Sequence, residues 1–367
     1  MTKLPDSSAS LPSDDQSDWR SEGLVMNAFG AWLRRTFGGR VQRVSIDAGF
    51  TCPNVDGAVL RGGCNFCDNR SFSPSRRVRL QPVIDQLQNG IQTVRARYGN
   101  VSGFIAYFQP ATNTYAPLDQ LRQLYRAALQ CDQQIVGLAI GTRPDCVPNE
   151  VLDLIDEIAD ETGMHVSVEL GMQSIHQRSL DWMNRGHDHA SMINAIQRCR
   201  GRQFETCAHV ILGVPGESYD DMMQTADAVA DLGVDAIKLH NLYIVKDTPL
   251  HDQMLQHERE TGEPLLMIQR DEYIRVVVDF LERMHPDVIV ERISGEAPSG
   301  YLVAPEWCAK KSQLRNDIEA LFRQRGTVQG SRHVARTIDA TRPADSTPDS
   351  IKSKILDSRR TLPVLRF

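Results

Sequence analysis

Long apolar runs are absent from this sequence. None of its 367 residues belongs to a segment approaching the ~18 consecutive apolar residues that a membrane-spanning helix needs. The first residues also lack the apolar stretch of a signal peptide, so we expect a cytoplasmic protein without membrane contact. Hydrophobic residues make up 41% and charged residues 24% of the chain, which is typical of a globular protein that can bury a full core.

An excess of positive charge is absent as well. The 41 Lys and Arg residues against 47 Asp and Glu give a net charge of −6. This excludes a protein that coats nucleic acid through overall basic charge, and leaves room only for a local basic patch. Eight cysteines are too sparse for a disulfide scaffold in a chain of this length. Metal ligation, catalysis or simple burial are their expected uses.

Apolar strand-like runs alternate with segments of helical periodicity along most of the chain. The predicted strands cover residues 41–46, 103–108, 135–140, 166–170, 207–212, 236–242 and 288–293. Such alternation predicts a parallel sheet with right-handed crossovers. We therefore predict an α/β fold, a partial (βα)6-type TIM-like barrel over residues 23–290, with a short C-terminal extension over residues 291–330. Residues 1–22 and 331–367 show no periodicity and are predicted to be disordered tails.

Three cysteines lie close together just after the first predicted strand. Cys52, Cys64 and Cys67 fall in the glycine-rich residues 49–67, here called the cysteine loop. A barrel places its active site in such loops. The next cysteine is Cys131 and the first histidine is His165, so a closed zinc site, which needs four ligands, is disfavoured. A redox pair would leave Cys52 unexplained, whereas three thiolates and one open position suit a 4Fe–4S cluster with an exchangeable iron.

In the cysteine loop, the sequence resembles the radical S-adenosylmethionine (SAM) superfamily. The usual Cx3Cx2C spacing is replaced by Cx11Cx2C, which is similar to the branch of elongator acetyltransferase-like enzymes. Residues 168–174 and 183–187 are similar to the fourth-strand signature of the coproporphyrinogen dehydrogenase and elongator-like enzymes. Residues 107–109, 141–146, 184–187 and 302–308 resemble the bacterial YhcC-type radical SAM family.

The resemblance implies two cofactors, a 4Fe–4S cluster and SAM, with the three cysteines as cluster ligands. It also implies that Gln173 contacts the SAM ribose and Arg185 the SAM carboxylate. Gln109 stands where relatives bind the methionine amino group, although their Gly-Gly-Glu is absent here. His209 directly precedes the fifth-strand motif that flanks the adenine, at a position that is polar in relatives, and it is expected to contact SAM. Glu169 lies at a strand end, where it would contact SAM or substrate, or else only form a salt bridge.

The implied activity is reductive cleavage of SAM, with hydrogen abstraction from a substrate by the resulting radical. The electron would come from a protein such as flavodoxin or ferredoxin. The favoured substrate is a tRNA base, namely a wobble uridine side chain; a small metabolite is the alternative, and a non-enzymatic iron–sulfur sensor a distant one. Four residues, here called the arginine group, would either contact phosphates or form a solvated charge run: Arg70, Arg76, Arg77 and Arg79. A thiol role for Cys146 or Cys308 stays open.

Overall fold

The computed structural model describes residues 18–298 and 300–334 of the chain. The strands are β1 (Val41–Ile46), β2 (Gly103–Phe108), β3 (Ile135–Thr142), β4 (His165–Gln173), β5 (Glu205–Leu212), β6 (Ala236–Asn241), β7 (Ile244–Val245), β8 (Ile289–Arg292) and β9 (Leu302–Ala304). The helices are α1 (Phe29–Phe37), α2 (Pro53–Asp56), α3 (Asn69–Phe72), α4 (Val83–Tyr98), α5 (Leu118–Gln130), α6 (Asn149–Thr162), α7 (Gln177–Trp182), α8 (His189–Cys199), α9 (Tyr219–Leu232), α10 (Pro249–Thr261), α11 (Arg270–Arg283) and α12 (Lys311–Arg325). Short 3-10 turns cover Pro74–Arg77, Pro144–Cys146 and Glu306–Ala309.

One large sheet organises the molecule. It has seven strands in the order β1-β2-β3-β4-β5-β6-β8, and every neighbouring pair is parallel. All seven predicted strands are present in it, so the predicted α/β partial barrel is confirmed. The short strands β7 and β9 form a separate antiparallel pair.

The sheet curls until its two edge strands face each other. Arg43 on β1 makes two hydrogen bonds of 2.7 Å to Glu291 on β8, although β1 and β8 stand at opposite ends of the strand order. Ahead of α1, Ala28 forms a parallel bridge with Val290 of β8. The open sheet therefore encloses an interior, as expected of a half-barrel.

Burial explains why these segments form strands and helices. Every residue of β2, β3 and β4 is buried, which is the pattern of a parallel strand covered on both faces. The helices pack apolar faces against the outside of the sheet; α6 buries Leu152, Ile155 and Ile158. Helix α9 begins at a capping box, in which Ser218 and Asp221 each accept a hydrogen bond from the other's backbone N–H.

The segments at the two ends of the described chain pack on the barrel. Within the predicted N-terminal tail, Trp19 is buried and donates from Nε1 to the carbonyl of Pro286 at 3.1 Å. In the C-terminal extension, α12 buries Leu314, Ile318 and Phe322 in the main core. Residues 1–17 and 335–367 of the predicted tails lie outside the described residues. No helix among the described residues is both long and apolar enough to cross a membrane.

Candidate active site

A cavity of about 260 Å³ lies inside the curled sheet and opens at the carboxyl ends of its strands. Barrel enzymes place their active sites at this end. All eight residues singled out from the sequence line this one cavity: Cys52, Cys64, Cys67, Gln109, Glu169, Gln173, Arg185 and His209. The structure thus brings together every predicted cluster and cofactor residue.

The cysteine loop is fastened to the segment that follows β4. Asn54, fully buried, donates from Nδ2 to the carbonyls of Asn184 at 2.7 Å and Arg185 at 2.9 Å. In return, Asn184 donates to the carbonyl of Gly63 at 2.6 Å. A Cβ at Gly186 would lie only 2.7 Å from Oδ1 of Asn54, so a side chain there would push the two segments apart. These contacts explain why residues 184–187 carry a recognisable motif.

Two guanidinium groups approach the thiols of the loop. Nη1 of Arg185 lies 3.4 Å from Sγ of Cys64, and Nη1 of Arg143 lies 3.9 Å from Sγ of Cys52. Nearby positive charge favours the thiolate form that metals bind. Arg143 is buried and held by Asp145 through bonds of 2.9 and 2.8 Å. Its position beside the cysteine loop is therefore fixed by its own ion pair.

Each of the three guanidinium nitrogens of Arg185 already has one partner within the protein. Its Nη2 donates to the carbonyl of Gly171 at 2.9 Å, and its Nε to Nε2 of His187 at 3.0 Å. Burial and the charge of Arg185 lower the pKa of His187 to about 3, so the imidazole is neutral and can accept this hydrogen bond. A contact between Arg185 and the SAM carboxylate stays a prediction.

The thiols suit an iron–sulfur cluster. Desolvation and the neighbouring Cys64 and Cys52 raise the pKa of the Cys67 thiol to about 12, and binding to a metal converts such a thiol to the thiolate. Across the residues described, no group of three or more His, Cys, Asp or Glu side chains is arranged to hold a single metal ion. A cluster has no such requirement, because each cysteine binds a different iron.

Gln173 occupies a strained position at the end of β4. Its φ is +70°, where a residue with a side chain is uncommon, and the register between β4 and β5 shifts just before it. Such strain concentrates at functional sites. A Cβ at Gly171 would lie 2.8 Å from Nε2 of Gln173, so the glycine leaves space for the amide. Gln109, in contrast, accepts a hydrogen bond from the Ser45 hydroxyl at 2.6 Å.

Four charged side chains pair with one another inside the barrel and are here called the buried ion cluster: Arg43, Glu169, Lys238 and Glu291. Of these, Glu169 and Lys238 line the cavity. Nη2 of Arg43 lies 3.2 Å from Oε1 of Glu169, and Nζ of Lys238 contacts Glu169 and lies 3.0 Å from Oε2 of Glu291. Burial would raise the carboxyl pKa, but Lys238 and Arg43 hold the pKa of Glu169 well below its usual range. The salt-bridge interpretation of Glu169 is therefore observed, and its contact with SAM or substrate stays a prediction.

Two further side chains complete the partners of Glu169. The Tyr107 hydroxyl donates to Oε2 at 2.7 Å, and Nε2 of His209 lies 3.0 Å from the same oxygen. Burial lowers the pKa of His209 even though Glu169 raises it, so the imidazole is neutral and donates to the carboxylate. His209 thus lines the cavity, and its hydrogen bond to Glu169 fixes the orientation of its ring.

Comparison with known proteins identifies the family. The model of the radical SAM superfamily matches residues 61–229, and that of the radical SAM C-terminal domain matches residues 234–324. Protein YhcC of Escherichia coli (strain K12) is 37% identical over 307 residues, which is 84% of this chain and 95% of that protein. This chain belongs to the radical SAM superfamily. It is a radical SAM enzyme, and its cofactors are a 4Fe–4S cluster and SAM.

Two more distant similarities are to proteins of Methanocaldococcus infernus. A tRNA uridine(34) acetyltransferase of Methanocaldococcus infernus is 26% identical over 196 residues, covering 52% of this chain but only 34% of that protein. The solved structure of Methanocaldococcus infernus Elp3, lacking its N-terminus, superposes with a TM-score of 0.57 at 18% identity, covering 79% of this chain and 64% of that one. The second similarity concerns the fold alone.

The arginine group of this radical SAM enzyme is not a uniform solvated run. Arg76 is a structural residue, since its Nε lies 2.8 Å from Asp47 and its Nη2 donates to the carbonyl of Phe50 at 2.7 Å. Arg70 pairs with Asp68 at 3.0 Å. Arg77 donates to the carbonyl of Arg70 at 2.6 Å and remains exposed.

The two remaining cysteines of interest do not line the cavity. Burial, reinforced by Asp145, raises the pKa of Cys146 to about 12, and burial raises that of Cys308 to about 11. Both thiols are therefore protonated at neutral pH.

Sequence reasoning missed most of the buried ion cluster. Arg43, Lys238 and Glu291 were not among the predicted site residues, although each interrupts an apolar predicted strand. A charged residue at such a position is almost never buried unless it is paired. That signal could have identified all three as interior residues of the barrel.

Proposed function

We propose that this radical SAM enzyme modifies a tRNA base, with a wobble uridine side chain as the favoured target. The similarity to a tRNA uridine(34) acetyltransferase, 26% identical over 196 residues, carries this proposal. The volume of the cavity, about 260 Å³, suits part of a nucleotide better than a whole RNA segment. An enzyme acting on a base must take that base out of the stack and hold the flanking backbone outside its pocket.

The rim of the cavity offers the charge such a backbone needs. Asn69 and Ser71 of α3 line the cavity, and the exposed Arg70 lies between them. Arg77 is bonded to the backbone of Arg70, and Arg79 is exposed two residues further on. Phosphate contacts act over about a Debye length of ~8 Å at physiological salt, so a local group suffices on an acidic protein. Arg70 and Arg76 are left out of this role because Asp68 and Asp47 already pair with them.

The chain's own residues would prepare the chemistry. The 4Fe–4S cluster, when bound and reduced, supplies the electron that cleaves SAM to the radical which abstracts hydrogen from the substrate. Cys52, Cys64 and Cys67 would hold that cluster, and Arg143 and Arg185 would offset the charge of the thiolates. Gln173, Gln109, Arg185, His209 and Glu169 are the proposed contacts for SAM. The barrel wall would keep water from the reacting atoms. Flavodoxin or ferredoxin is the proposed electron donor.

The experiment is a comparison of modified nucleosides in tRNA from a strain lacking the gene and from the same strain carrying it. We expect one nucleoside to disappear and its precursor to accumulate, and the parent protein, but not its Cys64→Ala variant, to restore it. In vitro, tRNA from the deletion strain should stimulate 5′-deoxyadenosine formation by the reconstituted enzyme above its rate without RNA. Identical nucleoside profiles in both strains would refute the tRNA proposal and favour a small metabolite.

A further inference from the structure

One cation that lines the cavity, Arg292, has no hydrogen-bond or ion-pair partner in the part of the chain that the structure describes. Arg292 is the last residue of β8 and lines the cavity beside His240 and Tyr243. Within residues 18–298 and 300–334, its guanidinium makes no hydrogen bond or ion pair. The other lysine and arginine side chains that line the cavity are all engaged, Arg143 by Asp145 and Lys238 by two glutamates.

Among the described residues, the charges around the cavity leave two cations without a carboxylate partner, Arg185 and Arg292. In the buried ion cluster two cations face two carboxylates, and Arg143 is balanced by Asp145. Arg185 lies beside the Cys64 thiol. The imidazoles add no charge, because burial and the neighbouring Arg292 keep the pKa of His240 well below its usual value. A guanidinium that has lost part of its water without gaining an anion is in an unfavourable state.

A second polar group beside Arg292 is also unsatisfied. Nε2 of His240 is buried and has no hydrogen-bond partner among the described residues. The His240 ring lies 5.7 Å from the ring of His209 and tilts against it. A neutral imidazole can donate one hydrogen bond, and a guanidinium presents a fork that matches two oxygens of one group. Together they form a site for an oxyanion.

We propose that Arg292, assisted by His240, binds a carboxylate or phosphate group of the substrate and so fixes how the substrate enters the cavity. The inference rests on the proposed function for the kind of substrate, a tRNA nucleotide. On such a substrate the anion is either a carboxylate on the base or a backbone phosphate. Arg292 is thereby a specificity-determining residue.

The first test measures anion binding without any activity. The reconstituted enzyme is treated with phenylglyoxal, and modification of individual arginines is followed by peptide mass mapping, with and without acetate or inorganic phosphate. Arg34, exposed on α1, is the internal control. A bound anion should slow modification of Arg292 about tenfold at about ten times its Kd, and leave Arg34 unaffected. Equal modification of Arg292 under all conditions would overturn the proposal.

The second test separates substrate from cofactor. Arg292→Gln and Arg292→Lys are compared with the control Arg34→Gln for 5′-deoxyadenosine formation, first without RNA and then with tRNA from the deletion strain. Without RNA, all should match the parent in rate and SAM requirement. With tRNA, Arg292→Gln should lose about ten- to a hundredfold of the stimulation, as expected for a hydrogen bond to a charged group, and Arg292→Lys should recover part of it. A raised SAM requirement without RNA would mean that Arg292 serves the cofactor, and the proposal would be wrong.

A third arm identifies the source of the anion. Carbodiimide and an amine convert carboxylates on bases to amides and leave backbone phosphodiesters intact. If amidated tRNA no longer stimulates the parent enzyme, Arg292 binds a base carboxylate; if it still stimulates, Arg292 binds a phosphate. If tRNA does not stimulate even the parent enzyme, the proposed function is wrong. In that case, protection of Arg292 from phenylglyoxal by acetate or phosphate still tests whether Arg292 binds an anion.

Discussion

Removing Lys238 should destabilise the protein strongly, because the buried ion cluster depends on balanced charge. The side chains of Glu169 and Glu291 are 0% and 1% exposed, and Lys238 contacts both. In Lys238→Met only Arg43 remains against two carboxylates. Leaving a buried charge without its partner costs about 3–5 kcal/mol, which we expect as the loss in free energy of unfolding.

A second substitution should repair the first. In Lys238→Met/Glu169→Gln, Arg43 still faces Glu291 through its two bonds of 2.7 Å, and the charges balance again. Coupling between contacting residues spans about 0.5–3 kcal/mol, and the double variant should regain a stability increment in that range. The surface variant Arg315→Met, which loses only a bond to Glu319 on α12, is the matched control and should change stability by less than ~1 kcal/mol.

The stability loss of Lys238→Met should depend on pH in a defined direction. In the parent, the charges of Lys238 and Arg43 hold the pKa of Glu169 and Glu291 below their ordinary values despite burial. Their contribution is therefore present above the unfolded pKa and lost as pH falls. In Lys238→Met, one of the two carboxyl groups would instead have a raised pKa. The folded state of the variant would therefore become more stable as the pH falls. The deficit of the variant should be larger at pH 8 than at pH 5.

Anaerobic urea unfolding, followed by circular dichroism at both pH values, measures these differences. Parent-like stability of Lys238→Met would refute the reasoning. So would a double variant no more stable than the single one, or a deficit that grows as the pH falls.

Three further predictions concern the cofactors and the rim. The anaerobically reconstituted protein should hold one 4Fe–4S cluster. Substitution of any of the three cysteines of the cysteine loop by Ala should abolish the absorbance of the cluster and the iron content of the protein. Stoichiometric zinc without iron would contradict the assignment. Arg185→Ala should raise the SAM requirement by an amount equivalent to ~1.5–3 kcal/mol; unchanged binding and cleavage of SAM would exclude its predicted carboxylate contact. Arg77→Ala/Arg79→Ala should reduce the slope of log tRNA affinity against log salt by about 0.7–0.9 for each lost contact. An unchanged slope, measured against the exposed control Arg34→Ala, would place the RNA elsewhere.

Much of the barrel could be predicted because its signals are local. The strand from Val41 to Ile46 and the strand from Gly103 to Phe108 have the predicted bounds, since runs of apolar residues in a parallel sheet are buried on both faces. The helix that begins at Val83 and ends before Gly99 follows from apolar residues at spacings of three and four. These patterns depend on neighbours along the chain, which the sequence displays directly.

The sequence alone also determined the chemistry of the cysteine loop. Three thiols with no local fourth ligand restrict the metal centre whatever the surrounding fold, because ligand type and number decide what can bind. The order of the strands then places the loop at the carboxyl end of the barrel, where Cys52, Cys64 and Cys67 share one cavity.

Only the tertiary structure decided which charges are neutralised. Arg43 and Glu291 are separated by 248 positions, and they pair because the sheet curls until its edges meet. In the sequence, Arg76 cannot be distinguished from the neighbouring arginines, but in the structure it forms an ion pair with Asp47. Arg292, in contrast, has no partner among the described residues. Whether a charge is satisfied depends on the few ångströms around it, and those are set by how distant strands pack rather than by adjacent residues.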